Sequence, residues 1–272
     1  MSKTNAALTL SSTESDYMEV VIPQSPKLHD VYFTFLYAAK EAATAYGNTV
    51  SIIEPFPCPA VDEFRKHYVH HSPNPAWFEQ WCFEQWLLIA DWMEQNNRDV
   101  VFKIDSDCLV FANMQNLWES IGRPRFSLPL NQSFVTKAAA REYSDYILKR
   151  FGNEKELEQN LPKPFLSDMY LLEEYLKQQG AVDLSNWRNL DSIIDVHLLS
   201  LLDGPGVFSQ KDIWFVNGQP CCVRANGYTR MLTLHCWGTA KDKMGAIWDQ
   251  SRRSLGTSPT RLSEIFSVSR TD

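Results

Sequence analysis

The stretch VVFKIDSD, residues 100–107, joins an apolar, β-branched run to two carboxylates that lie one residue apart. Such a run is typical of a strand that is buried on both faces, as the strands of a parallel sheet are. Ligand sites in open α/β sheets lie at the carboxyl ends of these strands. The stretch therefore predicts an α/β fold, with Asp105 and Asp107 at the ligand-binding end of its sheet.

The sequence on either side predicts the other elements of such a fold. We predict strands at 18–22, 49–53, 100–104, 126–130, 213–216, 221–223 and 231–235, and helices at 31–46, 75–97, 136–151 and 167–180. The order strand, helix, strand at the start suggests a βαβ unit with a parallel pair. Asn217-Gly218 is a hairpin turn signal, and the segment 55–71 is predicted as a loop.

The composition predicts one folded domain. The chain has 272 residues, of which 44% are hydrophobic and 12% aromatic, and this is enough for a sizeable core. We expect a flexible arm at 1–16, a single Rossmann-like α/β domain at 17–249 and a loose tail at 250–272. The central sheet is predicted to be mixed, mostly parallel and flanked by helices.

The charge and the apolar runs argue against several classes of partner. A net charge of -7 makes nucleic acid an unfavourable partner, because a phosphate backbone would be repelled. No run approaches the roughly 20 apolar residues of a transmembrane segment, and the Ser/Thr-rich start lacks the apolar core of a signal peptide. The six cysteines form no CxxC pair and are interpreted as buried free thiols, so we expect a cytoplasmic protein.

The acid pair itself predicts a cation site. If the chain turns after Asp105, both carboxylates can reach one hard cation, for which Mg²⁺ and Mn²⁺ are the natural occupants. The alternative is a pair of solvated acids in a turn, but the apolar residues that follow, Val110 and Phe111, favour a site. Phosphohydrolases of the haloacid dehalogenase type use a similar pair. Theirs opens the domain, whereas roughly a third of this chain precedes the pair.

A second motif, HCWGTAK at 235–241, has the pattern H-x-x-G-x-x-K. His235 follows a predicted strand and can supply a nitrogen ligand to a metal. Gly238 lets the backbone approach a phosphate because it has no Cβ, and Lys241 is a point charge for a diphosphate oxygen. A lone histidine is more often a satisfied core or surface residue, so this interpretation depends on the acid pair upstream.

Together, the D-x-D and H-x-x-G-x-x-K motifs resemble those of GT-A-fold glycosyltransferases, particularly the retaining enzymes of glycosyltransferase family 8. The segments YVHHSPN at 68–74, Phe78-Glu79, Trp86 and Ser167-Asp168-Met169 look like those of a group of uncharacterised bacterial-type glycosyltransferases. The resemblance covers most of residues 18–244. It departs from family 8 at 242–243, where Asp-Lys stands in place of the usual Pro-Trp.

The resemblance implies a role for each candidate residue. Asp105, Asp107 and His235 would bind Mn²⁺ (or Mg²⁺), Gly238 and Lys241 would meet the diphosphate, Gln24 and Ser25 would border the nucleotide, and Asp168 would bind a sugar hydroxyl or the acceptor. The implied reaction moves a sugar from a nucleotide-diphosphate sugar, in the first place a UDP-sugar, to a hydroxyl of a glycan or another acceptor. The family-8 likeness points to retention of configuration.

Two alternatives remain open from the residues alone. One is a metal-dependent phosphohydrolase, and the other is a non-catalytic protein that binds nucleotide sugars. A shared cation site requires Asp105, Asp107 and His235 to converge at one edge of the central sheet, with Lys241 pointing into the same cleft. If His235 lies on the opposite face from Asp107, the shared-site hypothesis fails.

Overall fold

The computed structural model describes residues 18–25, 33–128, 131–152, 166–179, 182–183, 192–194, 213–224, 227–236 and 238–262, so the arm predicted at 1–16 lies outside the described residues. The strands are β1 (Glu19–Pro23), β2 (Thr49–Ile53), β3 (Val100–Ile104), β4 (Cys108–Val110), β5 (Ser127–Leu128), β6 (Gln132–Thr136), β7 (Val182–Asp183), β8 (Ser192–Ile194), β9 (Ile213–Val216), β10 (Gln219–Arg224), β11 (Gly227–His235) and β12 (Thr260–Arg261). The helices are α1 (Phe33–Ala45), α2 (Pro59–His67), α3 (Ala76–Gln95), α4 (Met114–Ser120), α5 (Lys137–Phe151), α6 (Asp168–Gln179) and α7 (Met244–Arg253), with a 3-10 helix at Gly238–Lys243.

The first sheet has the strand order β2-β1-β3-β6. β1 pairs in parallel with both β2 and β3, and β6 runs antiparallel to β3. Every residue of β1 and β3 is buried, as expected for strands that are covered on both faces. The predicted α/β class, with a mixed and mostly parallel sheet, is therefore confirmed.

Two cores cover the two faces of this sheet, because alternate residues of a strand point to opposite sides. Phe102 and Ile104 join the core that contains α1 and strands of a second sheet. Val101 joins the core that contains α3 and α5. Phe102 also packs on Phe134 of β6, with ring centroids 4.6 Å apart. The end of β3 thus projects side chains into two different environments.

A second sheet begins directly after the acid pair and has the order β12-β9-β10-β11-β4, with β8 paired to β11. β4 runs antiparallel to the end of β11, where Leu109 faces Leu234. The sequence predicts a single sheet and does not predict β4, because a strand of three residues is too short to show periodicity. The acid pair consequently lies at the junction of two sheets.

Among the described residues, three α-helices lie where the sequence predicts none: α2, α4 and α7. The two shorter ones, α2 and α4, have identifiable ends. α2 occupies part of the segment 55–71 that was predicted as a loop. It begins at Pro59, which needs no hydrogen-bond partner at a first helical position, and it ends with the basic residues 65–67 at its negative pole. α4 begins after Asn113, whose side chain accepts a hydrogen bond from the backbone N–H of Asn116 at 2.9 Å. Neither helix is long enough for a clear apolar period.

The strand predicted at 126–130 and the tail predicted from residue 250 also differ from the structure. β5 is short, and the strand that pairs with β3 is β6, which follows the predicted position. α7 runs past Gln250, and β12 then pairs with β9. Leu262 at the end of this segment is buried.

The β9–β10 hairpin explains why the Ser-rich segment that begins at Ser251 is folded. Asn217 and Gly218 have positive φ angles of 49° and 78°, as the two central residues of a type I′ turn do. The hydroxyl of Ser251 donates a hydrogen bond to the carbonyl of Gly218 at 2.5 Å, and the N–H of Gly218 donates to Oγ of Ser254 at 3.1 Å. Both serines are buried by this turn, although the composition suggests an exposed tail.

Among the ranges given above, no helix has the length and apolar character needed to cross a membrane. All six cysteines fall within those ranges and are free thiols. Five are buried, and Cys82 is half-buried. The prediction of unpaired, mostly buried thiols is confirmed.

Gly218→Ala is expected to destabilise the protein by about 1–2 kcal/mol, because at this positive φ the Cβ of alanine lies too close to a backbone carbonyl oxygen. Its Cβ would also lie 2.7 Å from Cδ2 of Leu255, which would have to move. Gly245→Ala, at an open position in α7, is the matched control and should stabilise by about 0.5–1 kcal/mol. Urea unfolding of both variants measures the two effects. Changes of the same sign would contradict the assignment of the turn.

Candidate active site

The turn after β3 connects the two sheets, and backbone hydrogen bonds join this part of the protein to the strand that carries His235. The N–H of Cys108 donates to the carbonyl of Asp105 at 3.1 Å, which closes the turn. Cys108 then faces His235 in the antiparallel pairing of β4 with β11. One step beyond that pair, the N–H of Cys236 donates to the carbonyl of Asp107 at 2.7 Å. Backbone hydrogen bonds therefore set the position of His235 relative to the acid pair.

Asp107, His235 and Lys241 meet at this turn. Nε2 of His235 lies 3.3 Å from Oδ1 of Asp107, and Nζ of Lys241 lies 2.8 Å from Oδ2. Asp107 and His235 are each 5% exposed, whereas the Lys241 side chain is 26% exposed. Gly238 is the first residue of the 3-10 helix that contains Lys241. The structure thus brings together residues from both sequence motifs.

Opposite charges keep Asp107 ionised in this buried position. Burial acts to raise the pKa of Asp107. The contact with His235 and the charge of Lys241 outweigh burial and hold the pKa of Asp107 well below its usual value. The carboxylate is therefore charged at neutral pH and is able to bind a cation.

The donor atoms around Asp107 fit a divalent cation. Oδ1 is buried, and among the described residues its contact with Nε2 of His235 at 3.3 Å does not have normal hydrogen-bond geometry. A buried oxygen without a well-formed hydrogen bond gains from a further ligand. One ligand atom each from Asp107, Cys108 and His235 lies within 4.8 Å of the other two. Atoms about 2.0–2.3 Å from a common metal lie at comparable separations.

Asp105 is not in this group of three ligand atoms and has a different partner in this structure. Its carboxylate accepts a hydrogen bond from Nζ of Lys103, which points to the same side of β3. The Lys103 side chain is only 2% exposed, and its Nζ lies 5.2 Å from the centroid of the Trp86 ring. A buried ammonium group requires a counter-ion. The structure therefore pairs Asp105 with Lys103, while the Asp105 side chain stays 35% exposed.

A second group of polar side chains surrounds Asp168, the half-buried first residue of α6. Oε1 of Glu79 accepts a hydrogen bond from the backbone N–H of Asp168 at 2.9 Å, and the Tyr143 hydroxyl donates to the Asp168 carbonyl at 3.4 Å. Burial, and then the charge of Glu79, raise the pKa of Asp168 to about 7 against the opposing charge of Lys103. This carboxyl group therefore changes its protonation state near neutral pH.

Glu79 and Lys103 are candidate site residues that the sequence analysis missed. Glu79 is 1% exposed, and its Oε2 accepts hydrogen bonds from Ser72 at 2.9 Å and from the Asn74 amide at 2.8 Å. With the bond to Asp168, these contacts tie the start of α3 to the start of α6. Lys103 was detectable as a lysine inside an apolar strand, because a buried lysine almost always has an acidic partner.

Gln24 and Ser25 follow β1. The N–H of Gln24 donates to the carbonyl of Ile53 at 2.9 Å, which extends the pairing of β1 with β2 by one bond. Ser25 is buried. Because β1 and β3 are parallel neighbours, the loops after both strands leave the same edge of the sheet. The predicted nucleotide loop therefore shares an edge with Asp105 and Asp107.

No family model and no curated protein matches the chain. Among solved structures, the chain is similar to a glycosyltransferase involved in the glycosylation of the major capsid of PBCV-1, at 13% identity and a TM-score of 0.43 over 86% of this chain and 99% of that chain. It is similar to an active-site mutant of LgtC, at 10% identity and a TM-score of 0.46 over 89% of this chain and 98% of that chain. It is also similar to the glycosyltransferase GlyE of Streptococcus pneumoniae TIGR4, at 15% identity and a TM-score of 0.39 over 64% of this chain and 46% of that chain.

Asp168→Asn is expected to change how stability depends on pH. The folded-state pKa of about 7 exceeds the unfolded value of about 3.9, so the folded protein keeps a proton that the unfolded chain has lost. The contribution of Asp168 to the free energy of unfolding therefore falls as pH rises from about 4 to about 7, and it is constant above that range. Over this interval, the variant should lose less stability than the unsubstituted protein.

The measurement is urea unfolding at several pH values between these limits. Asp249→Asn, at an exposed ion pair with Arg252, is the matched control and should follow the unsubstituted protein. Parallel pH curves for Asp168→Asn and the unsubstituted protein would contradict the assignment.

Proposed function

We propose that the chain is a metal-dependent glycosyltransferase that moves a sugar from a nucleotide-diphosphate sugar, in the first place a UDP-sugar, to a hydroxyl of a glycan or another acceptor. The observation that carries the proposal is the buried carboxylate of Asp107, with His235 at one oxygen and Lys241 at the other. A carboxylate, an imidazole and a movable ammonium group at the open end of a sheet suit a cation that bridges to a diphosphate.

Asp107 and His235 would hold the divalent cation, which we propose to be Mn²⁺ or Mg²⁺. When bound, the cation supplies positive charge that neutralises the leaving diphosphate. Asp105 lies in the same turn and its side chain is 35% exposed, so it is a candidate for a further ligand once it parts from Lys103.

Lys241 is the exchangeable member of the group. It is the most exposed of the three side chains, and it sits on a 3-10 helix at the rim of the site. Its ammonium group bonds to Oδ2 of Asp107 in this structure. A diphosphate carries two negative charges where a carboxylate carries one, and it offers the ammonium group several charged oxygens. Lys241 can therefore rotate to the diphosphate and leave Asp107 to the cation.

Asp168 would act on the sugar side of the site. The charges of Lys103 and Asp105 both act on the pKa of Asp168, so it lies within electrostatic range of the acid pair. A carboxyl group that is partly protonated at neutral pH can donate to a sugar hydroxyl as well as accept from it. We assign to Asp168 the binding of the transferred sugar or of the acceptor hydroxyl. In a retaining reaction, the leaving diphosphate oxygen takes the acceptor proton.

UDP and UDP-sugars are expected to stabilise the protein only when Mn²⁺ or Mg²⁺ is present. Without a cation, the carboxylates of the acid pair would repel the negatively charged diphosphate. A ligand at one hundred times its Kd adds about 2.7 kcal/mol to the free energy of unfolding. Thermal unfolding with UDP, UDP-glucose and UDP-galactose, with and without each metal, measures the effect. An equal shift in excess EDTA would contradict the metal bridge.

Asp107→Ala and His235→Ala should each remove the metal-dependent UDP shift and reduce release of UDP from a UDP-sugar by a factor of about 100 or more, the usual cost of losing charge stabilisation in a site. Far-ultraviolet circular dichroism should stay unchanged. Asp249→Ala and His67→Ala remove the same side chains from exposed ion pairs and serve as controls. A variant that unfolds without a selective loss of UDP binding would show that the residue is structural.

A further inference from the structure

We propose that Cys108 is a third side-chain ligand for the cation held by Asp107 and His235, and that the site therefore accepts a thiophilic divalent cation such as Zn²⁺ or Co²⁺ as well as a hard one. The inference deepens the proposed function and rests on it for its biochemical meaning, since it concerns the metal selectivity of the same site. Its structural basis is the placement of three side chains.

The strand register places Cys108 beside His235. The two residues face each other directly in the antiparallel pairing of β4 with β11. Side chains of directly opposed residues lie on the same face of a sheet, with Cβ atoms about 4.5–5.5 Å apart. Asp107 precedes Cys108 in the turn, and a ligand atom of each of the three residues lies within 4.8 Å of the other two. The sulfur is therefore close enough to share a cation with the other two ligand atoms after a small movement of the side chains.

The surroundings of the thiol leave Sγ able to bind a metal. Cys108 is fully buried, and its Sγ makes a hydrogen bond of 3.7 Å to the carbonyl of Asn131. A thiol is a weak donor, so this bond is readily exchanged for a metal–sulfur bond. Among the described residues, the three ligand atoms that lie within 4.8 Å of one another come from Asp107, Cys108 and His235, and Cys236 is not one of this group. The distances therefore select Cys108 rather than Cys236.

A carboxylate oxygen, an imidazole nitrogen and a thiolate sulfur are a donor set that suits Zn²⁺, and three protein ligands leave a fourth position open for water or a diphosphate oxygen. Mg²⁺ prefers six oxygen ligands and gains little from sulfur. When the metal–sulfur bond forms, the S–H bond breaks and its proton passes to the solvent. Two anionic ligands then balance the charge of a divalent cation inside this buried site.

Titration of the full chain with Co²⁺ tests the proposal by absorption spectroscopy. The unsubstituted protein should show visible d–d bands together with a near-ultraviolet charge-transfer band from thiolate to cobalt. Cys108→Ser and Cys108→Ala should keep the d–d bands and lose the charge-transfer band. Two variants are used because serine adds a hydroxyl to the core, whereas alanine removes volume. Cys236→Ser and Cys82→Ser are the matched controls and should keep both bands.

Competition between Zn²⁺ and Mn²⁺ gives a second measurement, with free Mn²⁺ followed by electron paramagnetic resonance. Loss of a supporting partner of a metal ligand costs about 10–100-fold in affinity, and loss of a ligand should cost at least as much. We expect Cys108→Ser to weaken Zn²⁺ binding by about tenfold or more and to change Mn²⁺ binding less. Equal losses for both metals would overturn the selective role of sulfur.

The remaining outcomes separate this inference from the proposed function. Cobalt d–d bands without a charge-transfer band in the unsubstituted protein would overturn the role of Cys108 and leave the site of Asp107 and His235 intact. A charge-transfer band that disappears in Cys236→Ser instead would also overturn it, as would a failure to bind Co²⁺. The proposed function is tested separately by the Mn²⁺-dependent shift with UDP, which does not require sulfur.

Discussion

The antiparallel pairing of β4 with β11 is the constraint on which the site depends. It sets His235 opposite Cys108 and places the N–H of Cys236 on the carbonyl of Asp107. Side chains alternate along a strand, so a slip of one residue would turn His235 away from Asp107. Four fully buried residues hold the register: Leu109, Val110, Thr233 and Leu234. The same core contacts that stabilise the second sheet therefore fix the geometry of the proposed ligands.

The two acids of the D-x-D motif are neutralised in different ways, and the difference has a functional consequence. Lys103 is 2% exposed and has no route to solvent, so Asp105 keeps this partner unless its own side chain, which is 35% exposed, turns away. Lys241 is 26% exposed and can leave Asp107 without entering the core. A buried charge that loses its only partner is strongly destabilised, which means that an exchange is tolerable only if a cation takes over. Asp107 is the acid for which the structure allows such an exchange.

Sequence reasoning succeeded where a segment is long or uniformly apolar, and failed where pairing is distant. The bounds predicted for β2 and β3 agree with the structure, and the predicted helix end at Phe151 agrees with α5. β4 was missed because its three residues acquire a strand conformation from β11, more than a hundred residues away. The motifs predicted that Asp107, His235 and Lys241 lie together, and the structure brings these three side chains into contact. The partner of Asp105 and the position of Cys108 depend on which face each side chain takes, which only the register decides.

The turn at 105–107 divides the candidate site into two chemically different halves. Asp107 faces the second sheet with His235, whereas Asp105 and Lys103 face α3 on the other side of β3. The first half contains the proposed cation ligands and the ammonium group that we propose for the diphosphate. The second half is the one closer to Asp168, whose protonation changes near neutral pH. A carboxyl group in this state can both donate a hydrogen bond to a sugar hydroxyl and accept one from it. A nucleotide sugar is itself divided into a charged diphosphate and a neutral, hydroxylated sugar. A donor lying across the turn would therefore present each part to the half of the site that matches its chemistry.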